Sequence, residues 1–166
     1  TTSAVKDGKE WVINGTKMFT SGATDTDYIW LAARTDPNAP KHKGITMFIV
    51  PADAKGFSAS PIHTVGGGAT AMSYYENVRV PEDAVVGGVN GGWKLITTQL
   101  NHERVGLAAF GSACYSRTEK VIDWARGTET SDGRKMIDLP WVQHNLAEVF
   151  ARIEAMKLLN WRMAAA

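Results

Sequence analysis

The stretch GGWKLITTQLNHERVGLAAF, residues 91–110, marks the change from a β-rich half of the chain to a helical half. Its apolar residues recur at helical spacing, and one charged residue shares that spacing. The set is Ile96, Leu100, Glu103, Leu107 and Phe110, which lie on one face of a helix. A buried carboxylate is costly unless it is paired. Glu103 is therefore predicted to be a proton acceptor or donor or, alternatively, half of a structural ion pair.

The helical half continues this pattern beyond the opening stretch. A long helix is predicted from Gly92 to Ala125, followed by a polar connector at 127–133. A second helix carries the same four-three spacing at Val142, Leu146, Val149, Ile153 and Met156. Two helices joined by a short connector pack antiparallel. Their apolar faces are too wide to cover each other, so we expect further helices or another subunit to complete a bundle.

The first half has the character of a β-sheet. Asn14-Gly15 lies between two apolar runs and predicts a hairpin turn. Residues 28–33 and 45–50 are apolar runs of strand length and predict central strands. The predicted fold is α+β: an antiparallel β-sheet or barrel domain over residues 1–88, followed by an antiparallel helical pair over residues 89–166 that forms part of an incomplete bundle.

Composition excludes several classes of function. The chain of 166 residues has 18 basic and 17 acidic side chains and a net charge of +1, which argues against a nucleic-acid partner. Cys114 is the single cysteine and the four histidines lack metal-ligand spacing, so no metal site is predicted. No apolar run reaches the ~20 residues of a membrane span. Both ends interrupt patterned sequence, and we expect a piece of a longer soluble protein.

Several separated motifs, in order along the chain, resemble one family. EWVINGTKMFTSGA at residues 10–23 and AART at 32–35 resemble the middle β-domain of flavin-dependent acyl-CoA dehydrogenases. ENVRVP at 76–81, GGW at 91–93 and LNHER at 100–104 resemble the end of that domain and the first helix of the family's C-terminal bundle. The resemblance is collinear over nearly the whole chain, which makes it far more specific than any single motif.

The resemblance implies a larger protein with an N-terminal helical domain, the β-domain and a C-terminal bundle, assembled from like or unlike subunits. It implies α,β-dehydrogenation of an acyl-CoA substrate, with FAD as the cofactor and electron-transferring flavoprotein as the electron acceptor. This chain alone is expected to be inactive. The implied location is the bacterial cytoplasm, or the mitochondrial matrix if the source is eukaryotic.

Individual positions carry over from the family. Phe19 resembles the position where a tryptophan often packs against the flavin ring, and Ser21 the position of a hydroxyl near flavin N5, so the run Phe19, Thr20 and Ser21 is implied to bind FAD. Glu103 resembles the catalytic base of isovaleryl-type and long-chain members, whereas other members place the base late in the bundle. Arg104 resembles an arginine beside the acyl-CoA site, and Asn101 lies where an acidic residue often contacts the pantetheine chain.

One segment departs from the family. Where many members carry an Arg-x-x-Phe-Gly motif that reaches the FAD pyrophosphate of a neighbouring subunit, this chain has ETSDG at residues 129–133. A glutamate repels phosphate. Either Arg126 or Arg134 replaces the missing cation, or this subunit leaves its neighbour's flavin site incomplete, as in mycobacterial-type heteromeric members that act on steroid-CoA side chains. The alternative function is a non-catalytic partner subunit or assembly module.

Overall fold

The computed structural model describes residues 2–165, apart from the side chains of Ala109 and Ser112, and it has the predicted α+β fold. The described strands are β1 Ser3–Asp7, β2 Glu10–Lys17, β3 Tyr28–Arg34, β4 Ile45–Pro51, β5 Phe57–His63, β6 Ala69–Pro81 and β7 Val85–Val86. The described helices are α1 Gly92–Ala108, α2 Ser112–Gly127 and α3 Pro140–Ala164. The chain divides into two compact units, one up to Thr98 and one from Gln99 onward.

The seven strands form one sheet in the order β5-β6-β2-β1-β3-β4-β7. All neighbours pair antiparallel except β1 and β3, which meet in parallel where Ser3 faces Arg34. The two predicted central strands are β3 and β4, and both have a neighbour on each side. In the described part of the chain β5 and β7 end the order, so the sheet is open and the barrel alternative is wrong.

The hairpin predicted at Asn14-Gly15 is wrong, because β2 runs straight through these residues. The pairing between β2 and β6 shifts register between Ile13 and Gly15, and Gly15 adopts a φ of 136°. The side-chain nitrogen Nδ2 of Asn14 donates to Asn77 Oδ1 at 3.1 Å, and the backbone amide of Asn77 donates to Asn14 Oδ1 at 2.8 Å. The Asn-Gly pair therefore forms a β-bulge. A bulge, like a hairpin turn, can require a glycine at positive φ.

The sheet curls around its core. Trp11 on β2 and Phe48 on β4 are separated in the sheet by two strands, yet their ring centroids lie 5.6 Å apart at an interplanar angle of 68°. Neighbouring strands lie about 4.8 Å apart, so a flat sheet would keep these rings far apart. Phe48, Ile13, Val50 and Val78 are completely buried in this core.

The start of α1 is fixed by close packing against β4. A Cβ added at the buried Gly92 would lie 2.9 Å from the Ile45 carbonyl oxygen. Just before the helix, the Asn90 amide donates to Thr46 Oγ1 at 2.8 Å and the Thr35 hydroxyl donates to Asn90 Oδ1 at 2.7 Å. Glycine at position 92 therefore lets the helix begin directly against the sheet.

The long helix predicted from Gly92 to Ala125 is interrupted. A 3-10 turn at Ala109–Gly111 separates α1 from α2. The Ala108 carbonyl accepts a hydrogen bond of 3.4 Å from Asn160 Nδ2 on α3, and a Cβ at Gly111 would lie 2.8 Å from Met156 Cε. Tertiary contacts with α3 thus replace the helical continuation that the periodicity predicted.

The antiparallel pairing of α2 with α3 is as predicted. Tyr115 on α2 donates a hydrogen bond to Glu154 on α3, and the buried Ala125 packs with Leu139 and Val142 near the connector. Ile153 is also buried, whereas Val149 on the same stripe is exposed. Within the described residues, no helix is both long and apolar enough to cross a membrane.

Candidate functional site

The segment that follows β2 holds an aromatic ring in an unusual backbone conformation. Phe19 has a φ of 61°, in the left-handed region, and its side chain is 68% exposed. This conformation costs about 1–2 kcal/mol for a residue with a Cβ. Strained residues of this kind concentrate at ligand sites. The backbone of Phe19 is therefore strained while its ring is exposed to solvent. A residue whose role is to pack in the core would need neither feature.

Thr20 and Ser21 connect this segment to β6. The Thr20 amide donates to the Ala71 carbonyl at 2.8 Å. The Thr20 hydroxyl lies 3.1 Å from Ser73 Oγ, and the Ser21 hydroxyl lies 3.3 Å from Thr70 Oγ1. The segment after β2 is thus joined to β6 by one backbone and two side-chain hydrogen bonds.

The turns after Phe19 keep the segment compact. The Ser21 amide donates to the Phe19 carbonyl at 3.1 Å, and the Ala23 amide donates to the Thr20 carbonyl at 3.3 Å. Ala23 is buried, while Ser21 is exposed. An exposed ring and an exposed hydroxyl therefore stand two residues apart on an anchored loop.

The candidate residues on α1 are all exposed in this chain, and the apolar face that carries Glu103 is the one expected to be covered by further helices or another subunit. Asn101, Glu103 and Arg104 are exposed, as are Leu100 and Leu107 on the predicted stripe. The periodicity correctly places apolar residues along the helix. Along that face, however, Leu100, Glu103 and Leu107 are exposed, so the carboxylate remains in contact with solvent.

The ion-pair interpretation of Glu103 finds no support in the described part of the chain. The ion pairs there join eight other combinations of side chains, and none includes Glu103 or Arg104. Adjacent residues of a helix point about 100° apart. The carboxylate and the guanidinium next to it in sequence therefore do not neutralise each other.

The predicted site residues fall in two separate groups. Phe19, Thr20 and Ser21 lie together in the first unit, whereas Asn101, Glu103 and Arg104 lie within two turns of α1 in the second. Asn101 and Arg104 are three residues apart and are neighbours on the helix surface. The members of each group are therefore close together in sequence, one group in the loop after β2 and the other on α1.

The divergent segment after α2 forms a closed loop whose charges are paired. The Thr130 amide donates to the Arg134 carbonyl at 2.8 Å. Lys135 Nζ lies 2.6 Å from Glu129 Oε1, and Arg134 Nη2 lies 2.7 Å from Asp132 Oδ2. The Arg134 guanidinium and the Thr130 hydroxyl hold the pKa of Asp132 at about 2. Glu129 and Asp132 are therefore partnered anions.

Both arginines that could replace the missing cation, Arg126 and Arg134, are paired with a carboxylate. Asp132 raises the pKa of Arg134 through a hydrogen bond and its charge. Arg126 Nη1 lies 3.6 Å from Asp123 Oδ1, one turn earlier on α2. Both guanidinium groups are exposed and already face a carboxylate, so a phosphate would have to compete with that carboxylate for either of them.

Sequence reasoning missed Thr70 and Ser73, the hydroxyls that meet Thr20 and Ser21. A signal was present, because β6 alternates between buried and partly exposed positions. Ser73 falls at a fully buried position between Ala71 and Tyr75. A hydroxyl at a buried strand position requires a hydrogen-bond partner, but sequence alone does not identify that partner.

Comparison with known proteins assigns both halves of the chain. Residues 1–78 match the family model described as the acyl-CoA dehydrogenase middle domain, and residues 90–166 match the one described as the acyl-CoA dehydrogenase C-terminal domain. Acyl-CoA dehydrogenase FadE26 of Mycobacterium tuberculosis is 48% identical over 166 residues, which cover 98% of this chain and 41% of that protein. The chain thus spans less than half the length of this relative.

Two solved structures are similar over essentially the whole chain. A chain of the Tcur3481-Tcur3483 steroid ACAD is 58% identical with a TM-score of 0.91, over 100% of this chain and 42% of that one. A chain of the ChsE4-ChsE5 complex from Mycobacterium tuberculosis is 48% identical with a TM-score of 0.90, over 99% of this chain and 42% of that one. With both halves matched in order, the chain belongs to the acyl-CoA dehydrogenase family.

Proposed function

We propose that this chain is part of a longer FAD-dependent acyl-CoA dehydrogenase. Residues 1–88 would form its middle β-domain and residues 89–166 part of its C-terminal helical bundle. The observation that carries the proposal is the anchored segment Phe19–Ser21, which exposes an aromatic ring at positive φ beside a hydroxyl. Family membership makes a flavin the natural ligand for such a segment.

The fit between this segment and a flavin rests on the chemistry of its side chains. The exposed ring of Phe19 offers an apolar face for stacking on a flat heterocycle. The exposed hydroxyl of Ser21 can donate one hydrogen bond to a ring nitrogen. Phe19 and Ser21 would therefore contact the cofactor directly, with Thr20 between them.

The proposed mechanism assigns one chemical step to α1. The Glu103 carboxylate removes the α-proton of the acyl thioester, and the β-hydrogen leaves with its electron pair as a carbon–carbon double bond forms. FAD, when bound, supplies the two-electron oxidant that accepts this hydride. Arg104 and Asn101 would hold the CoA thioester beside Glu103. In the complete protein, covering the apolar face of α1 would exclude water from this carboxylate.

The proposed substrate class and partners are supported by the similar solved structures. The similar solved structures are a steroid ACAD and a complex of two proteins, ChsE4 and ChsE5, and we extend both properties to this protein. The proposed substrate is a CoA thioester on a steroid side chain, in preference to a linear fatty acyl-CoA. The proposed assembly pairs this subunit with an unlike member of the same family, and the proposed electron acceptor is electron-transferring flavoprotein. The proposed location is the bacterial cytoplasm.

A second candidate function has its own supporting observation. The loop at residues 129–133 carries paired carboxylates where many members supply a cation to a neighbour's FAD. Anions in that place disfavour a pyrophosphate. A partner subunit that contributes structure, and leaves one flavin site of the assembly incomplete, accounts for this loop. The Glu103 helix would then be retained without carrying out catalysis.

One experiment separates the two candidates. The full-length protein is purified alone and with its unlike partner, and its visible spectrum is recorded before and after anaerobic mixing with a steroid-CoA or a fatty acyl-CoA. Flavin bands that bleach on mixing support the enzyme, and faster bleaching by the steroid thioester supports the substrate class. Flavin that is bound, and bleached by the acyl thioester, at sites of the partner subunit alone supports the second candidate.

A further inference from the structure

A chain of three hydroxyl groups runs from the candidate flavin segment into the core of the sheet. The Thr20 hydroxyl lies 3.1 Å from Ser73 Oγ, and Ser73 Oγ donates to Tyr75 Oη at 3.3 Å. Ser73 and Tyr75 are both buried, with 0% and 2% of their surfaces exposed. Burial raises the pKa of the Tyr75 phenol, which keeps it protonated and able to take part in hydrogen bonding.

The proton count fixes the direction of this chain. A serine hydroxyl carries one proton, and Ser73 uses it toward Tyr75. Thr20 must therefore be the donor in its contact with Ser73. The backbone amide of Thr20 also donates, to the Ala71 carbonyl at 2.8 Å. Both the amide proton and the hydroxyl proton of Thr20 are therefore used in hydrogen bonds to β6, and neither is available to a cofactor.

The Ser21 hydroxyl stands apart from this chain. Side chains alternate between the two faces of a strand, so Thr70 lies on the face of β6 opposite to Ala71 and Ser73. The contact of 3.3 Å between Ser21 Oγ and Thr70 Oγ1 therefore secures the segment from the other face. When Thr70 donates in this contact, the single proton of Ser21 is free to point outward.

We propose that Ser73 and Thr70 are positioning residues for the flavin segment. Ser73 acts through Thr20 to hold Phe19 in its left-handed conformation, and Thr70 directs the Ser21 hydroxyl toward the cofactor. Thr20 is accordingly an anchor of the segment. This inference rests on the proposed function, and it assigns roles to β6 residues through their contacts with Thr20 and Ser21.

The anchor predicts a local effect that can be measured without catalysis. In the full-length protein, Thr20→Val and Ser73→Ala each break the same hydrogen bond, and each is expected to speed amide exchange across residues 18–24 by about fivefold while leaving β2 unchanged. The double variant should exchange little faster than either single variant, because the two changes share one interaction. Thr20→Ser keeps the hydroxyl and should behave as the wild type. Ser60→Ala, an exposed hydroxyl on β5, is the matched control.

The same variants report on cofactor positioning. Apoprotein of Thr20→Val and Ser73→Ala should bind FAD about fivefold more weakly than wild type, and Thr70→Val should shift the visible flavin spectrum as the Ser21 contact is lost. If Ser73→Ala does not fold, Thr20→Val alone carries the test, because it breaks the same hydrogen bond from the less buried side. Unchanged exchange, or faster exchange with wild-type FAD affinity and spectrum, would overturn the inference. A wild-type protein that binds no FAD would instead overturn the proposed function.

Discussion

Two nitrogens of Arg134 contact Asp132, with Nη2 at 2.7 Å and Nε at 2.9 Å from the same carboxylate oxygen Oδ2. The Thr130 hydroxyl donates to the same carboxylate. The Arg134 guanidinium is thus already paired with a carboxylate of the divergent loop. This pairing has consequences for flavin binding and for pH.

Removing Arg134 is expected to leave the flavin content of the full-length assembly unchanged. Because Asp132 already occupies its guanidinium, Arg134→Ala should not lower the ratio of flavin to protein absorbance by more than about a tenth, since a displaced ion pair at an exposed position contributes little. Ser21→Ala, which removes a proposed flavin contact, is the positive control and should lower the ratio. A clear loss of FAD from Arg134→Ala would identify it as the missing phosphate contact.

The Asp132 carboxyl should titrate far below an ordinary aspartate. Its folded-state pKa is about 2, against 3.8 for an unperturbed aspartate. Because the folded pKa is the lower one, the contact stabilises the loop above about pH 3.8, and this stabilisation is lost as the pH falls toward 2. Carboxyl 13C NMR measures the midpoint directly. Arg134→Ala should move that midpoint upward, and an unchanged midpoint would show that the ion pair does not set it.

Glu103→Gln tests the proposed base, because it preserves shape and removes the basic oxygen. In the full-length enzyme, flavin reduction by acyl-CoA should slow by at least ~10²-fold, the usual scale of general-base catalysis, with folding and FAD content unchanged. Stopped-flow bleaching and thermal melting are measured on the same variant. Glu119→Gln, an exposed carboxylate on α2, is the control. Wild-type reduction by Glu103→Gln would move the search for a base to the rest of the bundle or to a partner.

Gly92→Ala is expected to lower the stability of the first unit by about 1–3 kcal/mol, the range for overpacking a tight site. The added Cβ would lie 2.9 Å from the Ile45 carbonyl oxygen, and backbone atoms cannot move aside cheaply. Gly66→Ala is the matched control in the same unit, since a Cβ there meets nothing within 4 Å. Denaturant unfolding compares the two, and equal stabilities would mean that α1 shifts away from β4 without cost.

The exposed apolar residues of α1 and its following turn are expected to make this chain associate with itself. Phe110, in the turn, is 72% exposed, and Leu100 and Leu107 are exposed on α1. Exposed apolar patches of this kind favour association. Light scattering of the 166-residue chain measures this, and Leu107→Lys should reduce the apparent mass. A monomer over a wide concentration range would contradict the prediction, and Leu158→Lys, on α3, shows whether the effect is confined to α1.

Sequence determined the α+β fold and its order along the chain, because those features depend on local periodicity. The apolar runs at 28–33 and 45–50 become β3 and β4, and the four-three spacing at 142–156 lies on α3, where Val142 and Ile153 are buried. The candidate residues Phe19, Ser21 and Glu103 came from motifs in the sequence.

Tertiary structure decided what local patterns leave open. Asn14-Gly15 carries the signal of a hairpin turn, yet pairing with β1 and β6 on either side makes it a bulge. The periodicity of residues 92–125 continues past Ala109, but contacts from Asn160 and Met156 end the helix there. The hydroxyls of Ser73 and Thr70 lie about fifty residues from Thr20 and Ser21 in sequence, and only the pairing of β2 with β6 brings them together.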